Sequence, residues 1–297
     1  MSTLPIYQPR RDAQSFFVQA RGLRHHVRAW GPEDAPRLWL VHGWMDVSAS
    51  WQFVVDCLTR EWRVMAPDWR GFGLTDRAPA DCYWFPDYLA DFEALLRQFE
   101  PEGAINLVAH SMGGTIAMTY AGVRPERIRR LVSLEGFGLN ATDPADAPGR
   151  LAQWLDEIHA GSRLKNYADL DEVAARLRLT NPRLSADKAA WLASHWVAPN
   201  EEGRQVLLGD PSHKATNPYL YRVDEANACW SAIQAPVLLV GAEKGTRWEK
   251  LRNDPAYRDR LACIADIQEV TLSNAGHMLH HDQPERVAGL IDQFMGR

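Results

Sequence analysis

A chain of 297 residues with 46% hydrophobic side chains is long enough to bury one large core and to carry an insertion within it. Its net charge of −5 comes without a run of Lys or Arg, so nothing points to nucleic acid or to an anionic membrane surface as a partner. No stretch approaches the roughly 20 apolar residues of a membrane span, residues 1–15 are polar with Pro5 and Pro9, and the cysteines (Cys57, Cys82, Cys229, Cys263) form no CxxC pair. Reduced thiols in a cytoplasmic protein are the expectation.

Taken in chain order, the pattern alternates strand and helix. Residues 15–19 and 24–30 read as an antiparallel pair turning at Arg21-Gly22, and 37–42 as a buried strand running into His42-Gly43-Trp44. A helix over 50–60 follows, then a strand over 62–67 that breaks into Asp68-Trp69-Arg70-Gly71-Phe72-Gly73. Further on come a helix over 84–99, a strand over 104–109, a helix over 112–123 and a strand over 129–134. From 137 to about 221 the alternation gives way to helical periodicity without strands. Leu151, Trp154, Leu155 and Ile158 make one stripe, Asp169-x-x-Glu172 resembles a capping box before Val173 and Leu177, and Ala189, Leu192 and Trp196 make another stripe. Helices over 224–232, 247–263 and 283–295 then enclose strands over 236–241 and 266–272. Such alternation predicts a mostly parallel sheet covered on both faces, with ligands bound beyond the carboxyl ends of the strands.

One junction carries chemistry. The apolar run from Ile105 to Ala109 ends in the small-x-Ser-x-Gly sequence Ala109-His110-Ser111-Met112-Gly113 and passes at once into a helix. A serine on so tight a turn is pushed into solvent, and the turn aims backbone N–H groups where an oxyanion would form. Serine is almost fully protonated at neutral pH and needs a general base. His277 supplies a candidate, on the loop Ser273-Asn274-Ala275-Gly276-His277 after the last strand. The His42-Gly43-Trp44 turn offers the backbone N–H of Trp44 as one oxyanion donor, beside that of Met112.

Together these motifs resemble the α/β-hydrolase-fold family, in its serine-nucleophile branch. The likeness covers roughly residues 14–136 and 221–297. It implies an eight-stranded, mostly parallel sheet flanked by helices, with a core of residues 1–136 and 221–297 and an inserted helical cap at 137–220. Ala109 departs from the commoner glycine of the elbow and is small enough to fill its place. The family's chain order, serine then acid then histidine, sets the search for the third triad member. Three residues past the glycine that ends the strand over 236–241 stands Lys244, which cannot accept an imidazole N–H; Glu243 lies one position earlier. Glu135, at the end of the strand over 129–134, occupies the position that haloalkane dehalogenases use. Both Glu135 and Glu243 stay candidates, with Glu135 the preferred one because an apolar run is a costly place for an unpaired carboxylate.

Other polar residues have plainer readings. His110 reads as packing or support for the elbow, Asp68 and Arg70 as a structural turn, and Asp46 as a helix-initiating cap. His280 and His281 lack a second cluster at ligand spacing, so no metal and no cofactor is expected. The expected activity is hydrolysis of a carboxylic ester through an acyl-enzyme, on an apolar substrate of small to medium size. The same triad leaves a carbon–carbon bond hydrolase, lactonase or thioesterase open, and a decayed acid leaves a non-catalytic binder of small molecules. A small-molecule substrate is the expected partner, and a homodimer is left open.

Overall fold

Strands buried on both faces organise the chain. In the computed structural model, which describes residues 5–245 and 247–296, β1 (Gln14–Ala20), β2 (Leu23–Trp30), β3 (Arg37–Val41), β4 (Arg63–Pro67), β5 (Ile105–His110) and β6 (Ile128–Leu134) precede an insertion. The insertion holds β7 (Asn166–Tyr167), β8 (Val197–Pro199) and β9 (Gln205–Leu207), and β10 (Val237–Ala242) and β11 (Ile267–Leu272) follow it. The eight main strands form one sheet in the order β1-β2-β4-β3-β5-β6-β10-β11. Pairing is antiparallel at β1–β2 and β2–β4 and parallel from β4 to β11. The N-terminal reading of residues 1–15 falls in its first four positions outside the described residues.

Alternation along each strand feeds two cores. Trp39, Leu107, Ala109, Leu131 and Leu239 pack on one face, while Leu38, Leu40, Val108, Val132 and Val240 pack on the other. Burying a side chain of this size contributes about 1.5–3 kcal/mol, which is why the inner strands read as unbroken apolar runs. The described α-helices are, in chain order, α1 (Gln52–Val55), α2 (Phe85–Phe99), α3 (Met112–Val123), α4 (Ala147–Ala160), α5 (Leu170–Thr180), α6 (Ala186–Trp196), α7 (Val223–Ser231), α8 (Trp248–Arg252), α9 (Pro255–Ala262), α10 (Leu279–Asp282) and α11 (Pro284–Met295), of which α4, α5 and α6 belong to the insertion. No described helix is long and apolar enough to cross a membrane.

Three expectations need correction. The helix over 50–60 shrinks to a 3₁₀ turn at Ser48–Trp51 and α1, because Asp292 holds the backbone N–H groups of Thr59 and Arg60 and pulls the chain off the helical path. The helix over 247–263 splits into α8 and α9, where Pro255 cannot donate and Asp254 accepts from the Ala256 N–H as a cap. The insertion is not free of strands: β7, β9 and β8 form a small antiparallel sheet beside α5 and α6.

Within the insertion, Val173, Leu177, Ala189 and Leu192 bury against one another and against Phe53 of the core. Asp169 accepts from the Glu172 N–H, and Glu172 reaches back to the Ala168 N–H, one residue earlier than a standard capping box. The stripe on α4 does not join this cluster. Leu151 and Leu155 remain 43% and 59% exposed.

Candidate active site

Register places three strand ends at one rim. His110 of β5 pairs with Leu134 of β6, and Leu134 with Val240 of β10, so the residues that follow these strands emerge side by side. Ser111 follows β5 with φ 51° and ψ −115°, a left-handed conformation that serine adopts only under constraint. Its N–H bonds to the Leu134 carbonyl, and the Thr115 N–H returns to the Ser111 carbonyl as α3 starts.

The turn closes because its neighbours have no side chains to obstruct it. A Cβ on Gly43 would lie 2.9 Å from His110 Nδ1 and 3.1 Å from Ser111 Cβ, and one on Gly113 would lie 2.6 Å from the His42 carbonyl oxygen. The His42–Trp44 turn therefore packs directly on the elbow. His42 is fixed by its partners: Nε2 accepts from the Trp69 N–H at 3.1 Å, which leaves Nδ1–H to donate to the Gly43 carbonyl at 2.7 Å. Trp69 Nε1–H in turn donates to the His42 carbonyl. Neither the Trp44 nor the Met112 backbone N–H is spent on a hydrogen bond within the described chain.

His277 joins the serine across 166 positions of sequence, its Nε2 lying 3.0 Å from Ser111 Oγ. Its Nδ1 lies 3.2 Å from Oε2 of Glu135. Glu135 follows β6 at φ 54° and is buried, and its other oxygen accepts from the Ala242 N–H at 2.6 Å. Gly245 leaves room for this carboxylate, since a Cβ there would lie 3.0 Å from Oε2. Glu243 goes elsewhere. It is exposed, pairs loosely with Lys244, and accepts from the Asn274 N–H, so it braces the loop that precedes His277 without facing the imidazole.

A family model described as the alpha/beta hydrolase fold matches residues 36–284. The chain belongs to the α/β-hydrolase-fold family. This hydrolase is 35% identical to the AB hydrolase superfamily protein YfhM of Bacillus subtilis, over 94% of its own length and 96% of that protein. It is 26% identical to the carboxylesterase YbfK of the same organism, over 96% of its own length and 88% of that protein. Among solved structures, the thioesterase domain from the curacin biosynthetic pathway superposes with a TM-score of 0.83 at 24% identity, covering 94% of this chain and 99% of that one.

Several supports of the hydrolase site carried no motif. His110 donates from Nε2 to the His277 carbonyl at 2.8 Å, fixing the loop that carries the imidazole. Burial, with the His280 and His277 imidazoles beside it, holds His110 well below the usual imidazole range, so it stays neutral in this role. Asp282 accepts from the Gly276 N–H and from the Asn181 side chain, tying the same loop to the insertion. The sequence signal for both is proximity alone: one residue precedes the serine, and the other follows His277 by five positions.

Asp46, read as a cap, accepts from the Val47 N–H and the Ser50 hydroxyl at the start of the 3₁₀ turn, and its second oxygen lies 3.7 Å from His280 Nε2. Burial pushes this carboxyl up, and His280 and His42 outweigh that and hold it below its ordinary value. Asp46, His280 and His281 thus bring buried donor atoms within 4.8 Å of one another. Asp46 joins the two histidines in a buried set of three donors that could hold a metal ion, a grouping that the sequence spacing did not disclose. Asp68 and Arg70 hold loops: Asp68 accepts from His26 and from the Ser48 and Leu74 N–H groups, and Arg70 pairs with Asp91.

A cleft of about 1090 Å³ opens beside the elbow, lined by Trp84, Phe85, Leu89, Thr115, Leu151 and Tyr219 among others. Leu151, from the stripe of α4, lines one wall, and Thr115 lies one helical turn beyond Ser111. Ser111 itself is not among the residues that line this cleft.

Proposed function

We propose that this hydrolase cleaves a carboxylic ester, an apolar substrate of small to medium size, through an acyl-serine. The observation that carries the reading is the continuous hydrogen-bonded line from Ser111 Oγ through both nitrogens of His277 to Glu135. Nδ1–H donates to the buried carboxylate, which leaves Nε2 free to accept the serine proton as Oγ attacks the acyl carbonyl. The Trp44 and Met112 N–H groups stabilise the oxyanion, and each such donor is worth on the order of 3 kcal/mol in the transition state. His277 then returns its proton to the departing alkoxide. Water, deprotonated by the same nitrogen, attacks the acyl-serine and releases the acid.

The α4–α6 insertion acts in this proposal as a cap, with Leu151 and its neighbours receiving the apolar part of the substrate. The similarity to a carboxylesterase over nearly the full length supports the ester class. Serine in place of an aspartate nucleophile disfavours an alkyl-enzyme, so epoxide and haloalkane hydrolysis fall away. A fluorophosphonate probe should label Ser111 stoichiometrically, and Ser111→Ala should abolish both labelling and turnover of p-nitrophenyl esters without loss of fold. Absence of labelling in the folded protein would refute the enzymatic reading. A panel including thioesters, lactones and vinylogous diketones tests the ester class, and a larger kcat/KM on any of these would replace it.

A further inference from the structure

A second cavity, of about 180 Å³, lies between the insertion and the core and has no triad residue in its lining. Its core side presents Arg28 of β2, Ser48 and Asp68; its insertion side presents His195 of α6, Val197 of β8 and Leu208. Two polar groups here lack partners. Among the described residues, the Arg28 guanidinium makes no hydrogen bond and no ion pair, and its Nε is buried without an acceptor. Ser48 is 1% exposed, and its hydroxyl is also unpartnered. Burial pushes the Arg28 guanidinium down despite the Asp68 carboxylate nearby, so its charge is only partly compensated where it stands.

Asp68 does not fill that place. It stands outside ion-pair range of Arg28, and its oxygens already accept from His26 and from the Ser48 and Leu74 N–H groups. Its charge nevertheless limits what can enter, favouring an anion of a single charge over a dianion. Val197 and Leu208 add apolar wall, which suits an alkyl group better than an inorganic ion. Burial, with Arg28 close by, holds His195 down at about 4, so its ring is neutral and has one N–H to donate. The volume corresponds to about six waters of bulk liquid, enough for a short acid.

We propose that this cavity binds a short-chain alkyl carboxylate, with Arg28 as counter-ion and the Ser48 hydroxyl and His195 as further donors. Because the two sides of the cavity belong to the core and the insertion, the bound acid joins them. The assignment is independent of the ester reading, for it rests on a different cavity.

Thermal unfolding of the full chain in sodium butyrate, acetate, phosphate or chloride at equal ionic strength tests it. Butyrate should raise Tm saturably and chloride should not; Arg28→Gln should raise the half-saturating butyrate concentration at least tenfold, and Ser48→Ala about threefold. Isothermal titration with butyrate should reproduce these ratios. Identical Tm in butyrate and chloride would overturn the proposal, as would an undiminished response in Arg28→Gln, which would place the acid at Ser111 instead. A response to phosphate exceeding that to butyrate would overturn the carboxylate assignment. If Arg28→Gln fails to fold, the wild-type comparison and Ser48→Ala decide the question.

Discussion

Glu135→Gln is the sharpest test of the site, because the structure dictates how the new amide must sit. The Ala242 N–H points at one carboxylate oxygen from 2.6 Å and demands an acceptor. The glutamine therefore keeps its carbonyl oxygen on Ala242 and turns its NH₂ toward His277 Nδ1, 3.2 Å from the present Oε2. An imidazole facing a donor at Nδ1 carries its proton on Nε2, so it meets Ser111 Oγ as a donor and cannot accept the serine proton. Loss of the working tautomer costs a serine protease about 10⁴ in kcat, equivalent to about 5.5 kcal/mol of transition-state stabilisation. A fall of 10³–10⁴ in kcat on p-nitrophenyl acetate is expected for Glu135→Gln. Glu243→Gln, whose side chain meets the Asn274 N–H and Lys244 and not His277, should stay within threefold. Both variants should keep Tm within a few degrees, because the amide replaces the carboxylate without opening a void. More than a tenth of wild-type kcat in folded Glu135→Gln, or an equal loss in Glu243→Gln, would refute this account of the acid.

The other predictions probe the supports. Gly43→Ala inserts a methyl group 2.9 Å from His110 and 3.1 Å from Ser111 Cβ, so the oxyanion turn must retreat; kcat should fall on the order of 10²-fold while urea unfolding changes little. Asp68→Asn should cost about 3 kcal/mol at neutral pH, read by urea titration. Burial raises the Asp68 carboxyl, but His26, His42 and the Leu74 N–H outweigh it and hold the group below its ordinary value. Its contribution is therefore fully present above the unfolded value and is lost as pH falls through the folded one, and the gap between wild type and variant should narrow only below about pH 4. Leu151→Arg places a charge on the cleft wall and should lower kcat/KM for p-nitrophenyl octanoate about tenfold, or about 1.4 kcal/mol, with acetate turnover within twofold. Equal losses on both esters would remove α4 from the substrate path.

What the sequence disclosed and what it hid follow from how far each determinant reaches. Strands such as β5 and β6 are legible because burial on both faces leaves unbroken apolar runs, and the elbow is legible because its small residues are local. β7, β8 and β9 span only two or three residues each, too short for any period to register. The end of α1 is set by Asp292, a residue 233 positions from Thr59, which no local window contains. Glu135 and Glu243 could not be separated because both follow parallel strands ending at one rim. Their difference lies in backbone direction: Glu135 turns left-handed toward the serine, whereas the Glu243 N–H bonds to the Leu272 carbonyl and carries its side chain toward Asn274.

Backbone strain gathers at this rim. Of the five described non-glycine residues with positive φ, Met45 adjoins the oxyanion turn, and Ser111 and Glu135 belong to the hydrogen-bonded line itself. Such conformations cost about 1–3 kcal/mol each and persist only where surrounding contacts enforce them. At Ser111 the penalty belongs to the Cβ, which alanine shares and glycine lacks. Ser111→Gly should therefore be inactive yet more stable than Ser111→Ala. Relief of about 1–3 kcal/mol of strain, less the roughly 0.4–1 kcal/mol that glycine adds to unfolded-state entropy, leaves a difference of about 0.5–2 kcal/mol. Urea unfolding of the two variants side by side measures it, with equal slopes showing that both unfold from the same structure. If Ser111→Gly proves equal to or weaker than Ser111→Ala, the elbow stores no strain, and the positive φ is a relaxed feature of this turn.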